Sequence, residues 1–208
     1  MKNLVLAAAL LISAGLITSS VGDNPGKFVS AGHNRFKTPA ETLQTGDVVV
    51  RAGKGFISDV FRKFSAAGLP WSHAGIVVRN GSNVSVFHLM GSTERSSDGI
   101  RIDPLDRFCQ SSSNTGYAVY RLPGLADKET VIREFLKDLQ SKNIRFDDHF
   151  NFADDRSMYC TEVIHKTYYH ATGTGISLSE FKGEKYVSID DILHHPGACK
   201  IAEQFYHP

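Results

Sequence analysis

Met158-Tyr159-Cys160-Thr161-Glu162-Val163-Ile164 is the run from which the fold is read. It follows a polar, acidic stretch and opens a helix, with Cys160 at its start. The first N–H groups of a helix have no intrahelical partner, and the macrodipole places partial positive charge there. A thiol so placed is drawn toward thiolate, the nucleophilic form. Far upstream, Ser72-His73-Ala74-Gly75-Ile76-Val77-Val78 reads as a strand with His73 at its head. A base on a strand facing a thiol on a helix is the minimal apparatus of covalent catalysis.

Outward from these two runs, the pattern is that of a single α+β domain. A chain of 208 residues is long enough for one full core and too short to make two probable by size. Asp47-Val48-Val49-Val50-Arg51 follows the turn residues Thr45-Gly46, and its unbroken valines predict a strand buried on both faces. Ser58 to Ala67 carries Val60, Phe61 and Phe64 at helical spacing and ends at Gly68 and Pro70. The strand from His73 turns at Asn80-Gly81, and Val84 to Met90 is its hairpin partner. In that partner Val84, Val86 and His88 share one face, with Ser85, Phe87 and Leu89 on the other. Shorter strands are predicted at Gly99 to Ile102 and Tyr117 to Leu122. Lys128 to Gln140 is an amphipathic helix with Asp127 as its cap, the Cys160 helix stops before Gly173, and Ser188 caps a last turn. Strands early and helices late point to α+β.

The first 22 residues differ from the rest. Lys2 precedes an apolar run from Leu4 to Ile17, followed by Thr18, Ser19, Ser20 and Gly22. Charge, apolar run and small residues in that order predict a secretory signal peptide over 1–22, with the domain over 23–208. The apolar run is short of the ~20 residues of a membrane-spanning helix. No cysteine lies near the cleavage region, so a lipoprotein anchor has no attachment point. The expected location is therefore secreted or periplasmic, with no stable membrane anchor after cleavage. In an oxidising compartment three cysteines leave one over. Cys109 and Cys199 either bridge, leaving Cys160 free, or are simply buried small apolar residues.

The strings Ser72-His73-Ala74-Gly75-Ile76 and Tyr159-Cys160-Thr161-Glu162, together with Gly46-Asp47-Val48-Val49, resemble the YaeF/YiiX-like permuted papain-fold hydrolases. These are relatives of the NlpC-type peptidases and the lecithin-retinol acyltransferase-like proteins. The resemblance runs from about Gly46 to Leu193. It implies a permuted papain-like fold, an antiparallel sheet packed on helices that include the nucleophile helix. It also implies Cys160 as nucleophile and His73 as general base. The third, orienting position, often glutamate in the family, falls on His88. The backbone N–H of Cys160 is a natural oxyanion donor. Tyr159 either adds its hydroxyl or packs, and Ser72, with Trp71, is a candidate for the cleft wall.

Other features carry less. Lys and Arg number 23 against 22 Asp and Glu, a balance without the basic footprint of a nucleic-acid-binding protein. Asp147-Asp148-His149 with Asp154-Asp155 reads first as a solvated loop ahead of a helix, and second as a rim attracting a cationic substrate group. His165, His170, His194 and His195 lack the spacing of a zinc site, so no metal and no cofactor are expected. The partners expected are small peptide, aminoacyl or acyl substrates. The leading function is an exported cysteine hydrolase cleaving amide bonds through an acyl-enzyme. A thiol-dependent acyltransferase or lipid esterase on the same site is the second reading, and a non-catalytic binding module the third.

Overall fold

Six antiparallel strands form the frame on which the histidine and cysteine runs meet. The computed structural model describes residues 40–55, 58, 59, 62, 65, 67–91 and 98–207. Strands β1 (Val48–Gly53), β2 (His73–Asn80), β3 (Asn83–Met90) and β4 (Gly99–Pro104) come first, then the short helix α1 (Leu105–Phe108) and β5 (Asn114–Arg121). Helix α2 (Glu129–Ser141) follows, then β6 (Arg145–Phe146), β7 (Ser157–Met158) and α3 (Cys160–Thr172). The chain ends in β8 (Ser179–Phe181), β9 (Glu184–Tyr186), α4 (Ile189–Leu193) and β10 (Cys199–Phe205). The main sheet has the order β10-β5-β1-β2-β3-β4, with every neighbouring pair antiparallel.

The valine run does what its composition dictates. Val48 and Val50 enter one core and Val49 the other, because successive strand residues face opposite sides. The larger core packs Val50, Ile76, Phe87 and Leu89 against Ile132 and Leu136 of α2, Val163 and Ile164 of α3, and Ile192 of α4. The smaller core packs Val49, Val77, Val86 and Val119 against Leu43, Leu105, Phe108 and Cys109. Both sheet faces are thereby covered, and β1 lies at the centre.

The start of α3 is fixed from three sides. Tyr159 is extended (φ −106°, ψ 169°), and its N–H donates to the Glu162 carboxylate at 3.3 Å. The Tyr159 hydroxyl accepts the Val187 N–H at 2.9 Å, and the Thr161 hydroxyl donates to the Val187 carbonyl at 2.7 Å. The helix ends at Gly173, whose φ of 73° suits glycine at a left-handed C-cap.

Several local expectations shift. The hairpin closes on Gly81-Ser82 rather than Asn80-Gly81, since Asn80 still pairs with Asn83. Asp127 does not cap α2: it has a φ of 61°, and Lys128 occupies the N-cap without a side-chain bond. The predicted strand at Tyr117 begins earlier, at Asn114, and β10 went unforeseen because an edge strand exposes most of its residues and alternates weakly. Cys109 and Cys199 are both free thiols. Tyr206, next to the end of β10, bonds the Cys109 carbonyl, whereas Cys199 begins that strand. Seven residues at ~3.3 Å each separate the two sites far beyond disulfide reach. In the predicted helix before Gly68, Ser58, Asp59 and Arg62 are helical, and Val60, Phe61 and Phe64 lie outside the described residues. The 1–22 segment also lies outside them.

Gly75 is where packing is tightest around the histidines. A Cβ there would sit 2.5 Å from Val86 Cγ1, 3.0 Å from the Phe87 carbonyl oxygen and 3.1 Å from His88 Cβ. Gly75→Ala is expected to destabilise by about 1–3 kcal/mol, lowering Tm by several degrees. Thermal unfolding measures it, and an unchanged Tm would show that β3 yields freely.

Candidate active site

The β2–β3 ladder ends at the pair Ile76–Phe87, and there the sheet opens. The backbone N–H of Ala74 is directed instead at the sulfur of Cys160, which is one peptide away from His73. The half-buried Cys160 is the first residue of α3, so its own N–H and that of Thr161 also bear on the sulfur. The Ala74 N–H, one residue on from His73, is thus what ties the helix thiol to β2.

His73 and His88 are linked directly. His73 Nε2 lies 2.9 Å from His88 Nδ1, and His88 Nε2 lies 3.1 Å from Asp103 Oδ2. His88 is only 2 % exposed, enclosed by Phe108 in an edge contact at 5.0 Å. With Asp103 ionised, one order of protons follows along this series. An ionised carboxylate only accepts, so His88 Nε2 carries a proton and donates it to Asp103. With His88 neutral, its Nδ1 is bare and accepts from His73 Nε2–H. His73 Nδ1 is then bare in turn, a free base.

The charges support that ordering. Burial is the main cause that lowers His73 well below the usual histidine value, with Arg51, His88 and Arg101 adding to it. Burial likewise lowers His88 to about 4, helped by Arg51 and opposed by its bond to Asp103. Both imidazoles are therefore neutral near pH 7. Cys160 behaves differently from the expectation set by its helix position. Burial raises its thiol above the ordinary value, and that outweighs the three N–H groups and Arg51, which favour thiolate. At rest the thiol is held protonated and the imidazole neutral.

Two further site residues were absent from the sequence reading. Arg51 pairs cross-strand with His73, and Asp103 lies on the same face of β4 as Arg101, the cross-strand neighbour of His88. Alternation held the signal: Ile100 and Ile102 interleave with Arg101 and Asp103, so the charged pair had to share one face.

Tyr159 and Ser72, the two remaining expected site residues, have other work. The Tyr159 hydroxyl is tied to Val187 and its ring packs on Phe150 at 5.0 Å. The Ser72 hydroxyl accepts the Gly53 N–H at 3.0 Å and so locks β1 to the approach of β2. Both are buried and structural. Trp71, buried in the larger core, stacks at 5.6 Å on Phe205, which is exposed at the sheet edge.

The acidic run divides. Asp147 is buried and accepts the N–H groups of His149 and Asn151, while Asp148 and His149 form an exposed pair. Asp154 pairs with Arg156, and Asp155 with Lys166. The four late histidines are dispersed: His165 meets Phe152, His170 stacks on Phe135, His194 bonds the Asp190 carbonyl and His195 meets Tyr168.

Residues 42–195 match the family described as permuted papain-like amidase enzymes, YaeF/YiiX, C92 family. The uncharacterized protein YiiX of Escherichia coli (strain K12) is 26% identical over 132 residues, which cover 62% of this chain. The chain spans 59% of the length of that relative. The crystal structure of metalloprotein yiiX from Escherichia coli O157:H7 superposes with a TM-score of 0.64 at 20% identity, covering 78% of this chain and 98% of that one. This second likeness is one of fold.

The buried histidines make a prediction about acid. A histidine whose pKa is lowered on folding takes up protons on unfolding, so stability is full above the unfolded value and falls as pH drops. For His88 the decline runs from 6.5 down to about 4. That interval, at about 1.4 kcal/mol per pH unit, amounts to roughly 3 kcal/mol. Denaturant unfolding across this range should show the loss, and His88→Gln should flatten the slope. An equally steep slope in the variant would refute the buried neutral state of His88.

Proposed function

We propose that this chain, which belongs to the permuted papain-like amidase family, cleaves amide bonds of peptide or aminoacyl substrates through a thioester on Cys160. The observation that carries the reading is the hydrogen-bonded series Asp103–His88–His73, which ends on the residue next to the peptide N–H that meets the sulfur.

The chemistry follows from that order. As the sulfur of Cys160 attacks the carbonyl carbon, its proton passes to His73 Nδ1. His88 accepts from His73 Nε2–H throughout and holds the ring in the productive tautomer, as Asp103 holds His88. The N–H of Cys160 is set to bind the oxyanion. Collapse breaks the C–N bond, and His73 returns its proton to the departing amine. Water, deprotonated by His73, then cleaves the thioester and restores the thiol. Because burial and neighbouring positive charge make the His73 imidazolium a strong acid, it protonates an amine leaving group readily.

The Escherichia coli O157:H7 relative is described as a metalloprotein. In this chain Asp147, Asp148 and His149 each offer a ligand atom, all within 4.8 Å of one another, but two of the three residues are exposed and their ligand atoms already have hydrogen-bond partners. Asp147 is committed to two backbone N–H groups, and Asp148 lies 2.7 Å from His149 Nδ1. At Cys160 the charge of Arg51 opposes a cation. No step therefore passes through a metal. The signal peptide expected over 1–22 supports an exported enzyme acting on envelope peptides.

Acid-quenched mass spectrometry during turnover of an amide panel tests the reading. A thioester on Cys160 is expected, absent in Cys160→Ala. His73→Ala should lower kcat/KM by about 10²–10⁴-fold. His88→Ala should lower it less, since His73 remains. The acid limb of kcat/KM should lie below the ordinary histidine value of 6.5, because His73 resists protonation. Hydrolysis that survives Cys160→Ala would overturn the assignment.

A further inference from the structure

The N–H set to bind the oxyanion belongs to the Tyr159–Cys160 peptide, so its direction depends on what holds Tyr159. That peptide is trans, and its carbonyl accepts the Val163 N–H at 3.2 Å. In a planar trans unit the N–H then points the opposite way, out of the start of α3. The preceding peptide is held at both ends. The Met158 carbonyl accepts the Asp147 N–H at 2.9 Å, and the Tyr159 N–H donates to Glu162 Oε2 at 3.3 Å. Glu162 thus reaches back from the first turn of α3 to the residue before Cys160, as the acid of a capping box does.

Two features set this carboxylate apart from an ordinary cap. Glu162 is 0 % exposed, and Tyr159 is buried with it, so water does not compete for the Tyr159 N–H. Lys166 Nζ lies 2.7 Å from Glu162 Oε1, one turn along α3, and also pairs with Asp155 in the loop between β6 and β7. The same ammonium stands 5.7 Å from the centroid of the Phe152 ring, in that loop. The carboxylate therefore clamps N-cap, helix and loop together. Burial raises the Glu162 carboxyl to about 7, and Lys166 opposes the rise. Burying a carboxylate is costly, and an exposed glutamate closes the same capping box. What burial adds is a fixed geometry.

We propose that Glu162 is a positioning residue for the oxyanion-binding N–H of Cys160: by holding the Tyr159 N–H it fixes the plane of the peptide that follows. The assignment rests on the reading of Cys160 as nucleophile. Its effect falls on steps that place negative charge on a carbonyl oxygen, and not on reaction of the sulfur with an alkyl halide.

Two reactions of Cys160 separate that role from general support of the helix. Addition of the thiol to an aldehyde forms an S–C bond, moves the C=O electron pair onto oxygen and expels nothing, so it calls on the oxyanion donor. Alkylation by iodoacetamide expels iodide and creates no oxyanion. Protection of Cys160 from iodoacetamide by N-acetyl-alaninal or N-acetyl-leucinal, read on the Cys160 peptide by mass spectrometry, gives the aldehyde affinity. Glu162→Met, which keeps the volume, and Glu162→Ala should each weaken that affinity by about 10–10²-fold, with unprotected alkylation within about twofold of the parent. Glu162→Gln, which still offers an oxygen to the Tyr159 N–H and leaves Lys166 paired with Asp155, should stay near the parent. A folded Met or Ala variant, judged by circular dichroism and Tm, that keeps the parent's aldehyde affinity would overturn the proposal. So would aldehyde affinity and alkylation that change together, a Gln variant as weak as Met, or a parent that neither aldehyde protects. Amide hydrolysis by the parent separates this from the functional reading. Weakened affinity without Cys160-dependent hydrolysis supports Glu162 and refutes the amidase, and unchanged affinity with hydrolysis intact refutes Glu162 alone.

Discussion

The hydrogen bond between His73 Nε2 and His88 Nδ1, at 2.9 Å, is the constraint on which the site depends. Two imidazoles can share such a bond only if one is donor and the other acceptor, and the Asp103 carboxylate decides which. Without Asp103 the order is ambiguous, and the proton on His73 can lie on either nitrogen. With it, the basic atom of His73 is fixed. Phe108 packs on both rings and His88 is buried, so water is kept from the His88 end of the series.

Burial does two opposed things here. It keeps both histidines neutral, which a general base requires, and it holds the Cys160 thiol protonated, which a nucleophile does not. A helix N-terminus alone does not reverse the second effect, because the dipole contributes only about 1 kcal/mol at such a position. Proton transfer to His73 must accompany attack, so the pair functions as a neutral dyad that ionises during the reaction rather than before it. The packing that sets this up is tight: Gly75 leaves no space for a methyl group, and Ser72 and Tyr159 use their hydroxyls to hold strands and helix in register.

Much of this was legible in the residues. The valines of β1, the alternation of β3 and the helix opened by Cys160 follow from periodicity alone, while the family resemblance is what implies His73 as base and His88 at the orienting position. Three things were not legible. Which hydroxyls are free depends on remote partners, and the Val187 N–H that engages Tyr159 lies 28 residues downstream. Whether Cys109 reaches Cys199 depends on which end of an unforeseen edge strand each one meets. The direction of the Cys160 shift depends on how deeply the helix start is buried, which no local pattern encodes. Arg51 and Asp103 were within reach of strand alternation, but their partners appear only when β1 and β4 take their places in the sheet.

The most direct test of this account is the protonation state of the two histidines. In protein labelled with ¹⁵N-histidine at neutral pH, long-range ¹H–¹⁵N NMR distinguishes both neutral tautomers from imidazolium. His73 and His88 should each be neutral with the proton on Nε2, leaving His73 Nδ1 bare. An imidazolium at either residue, or a proton on His73 Nδ1, would contradict the ordered series from Asp103 to the thiol.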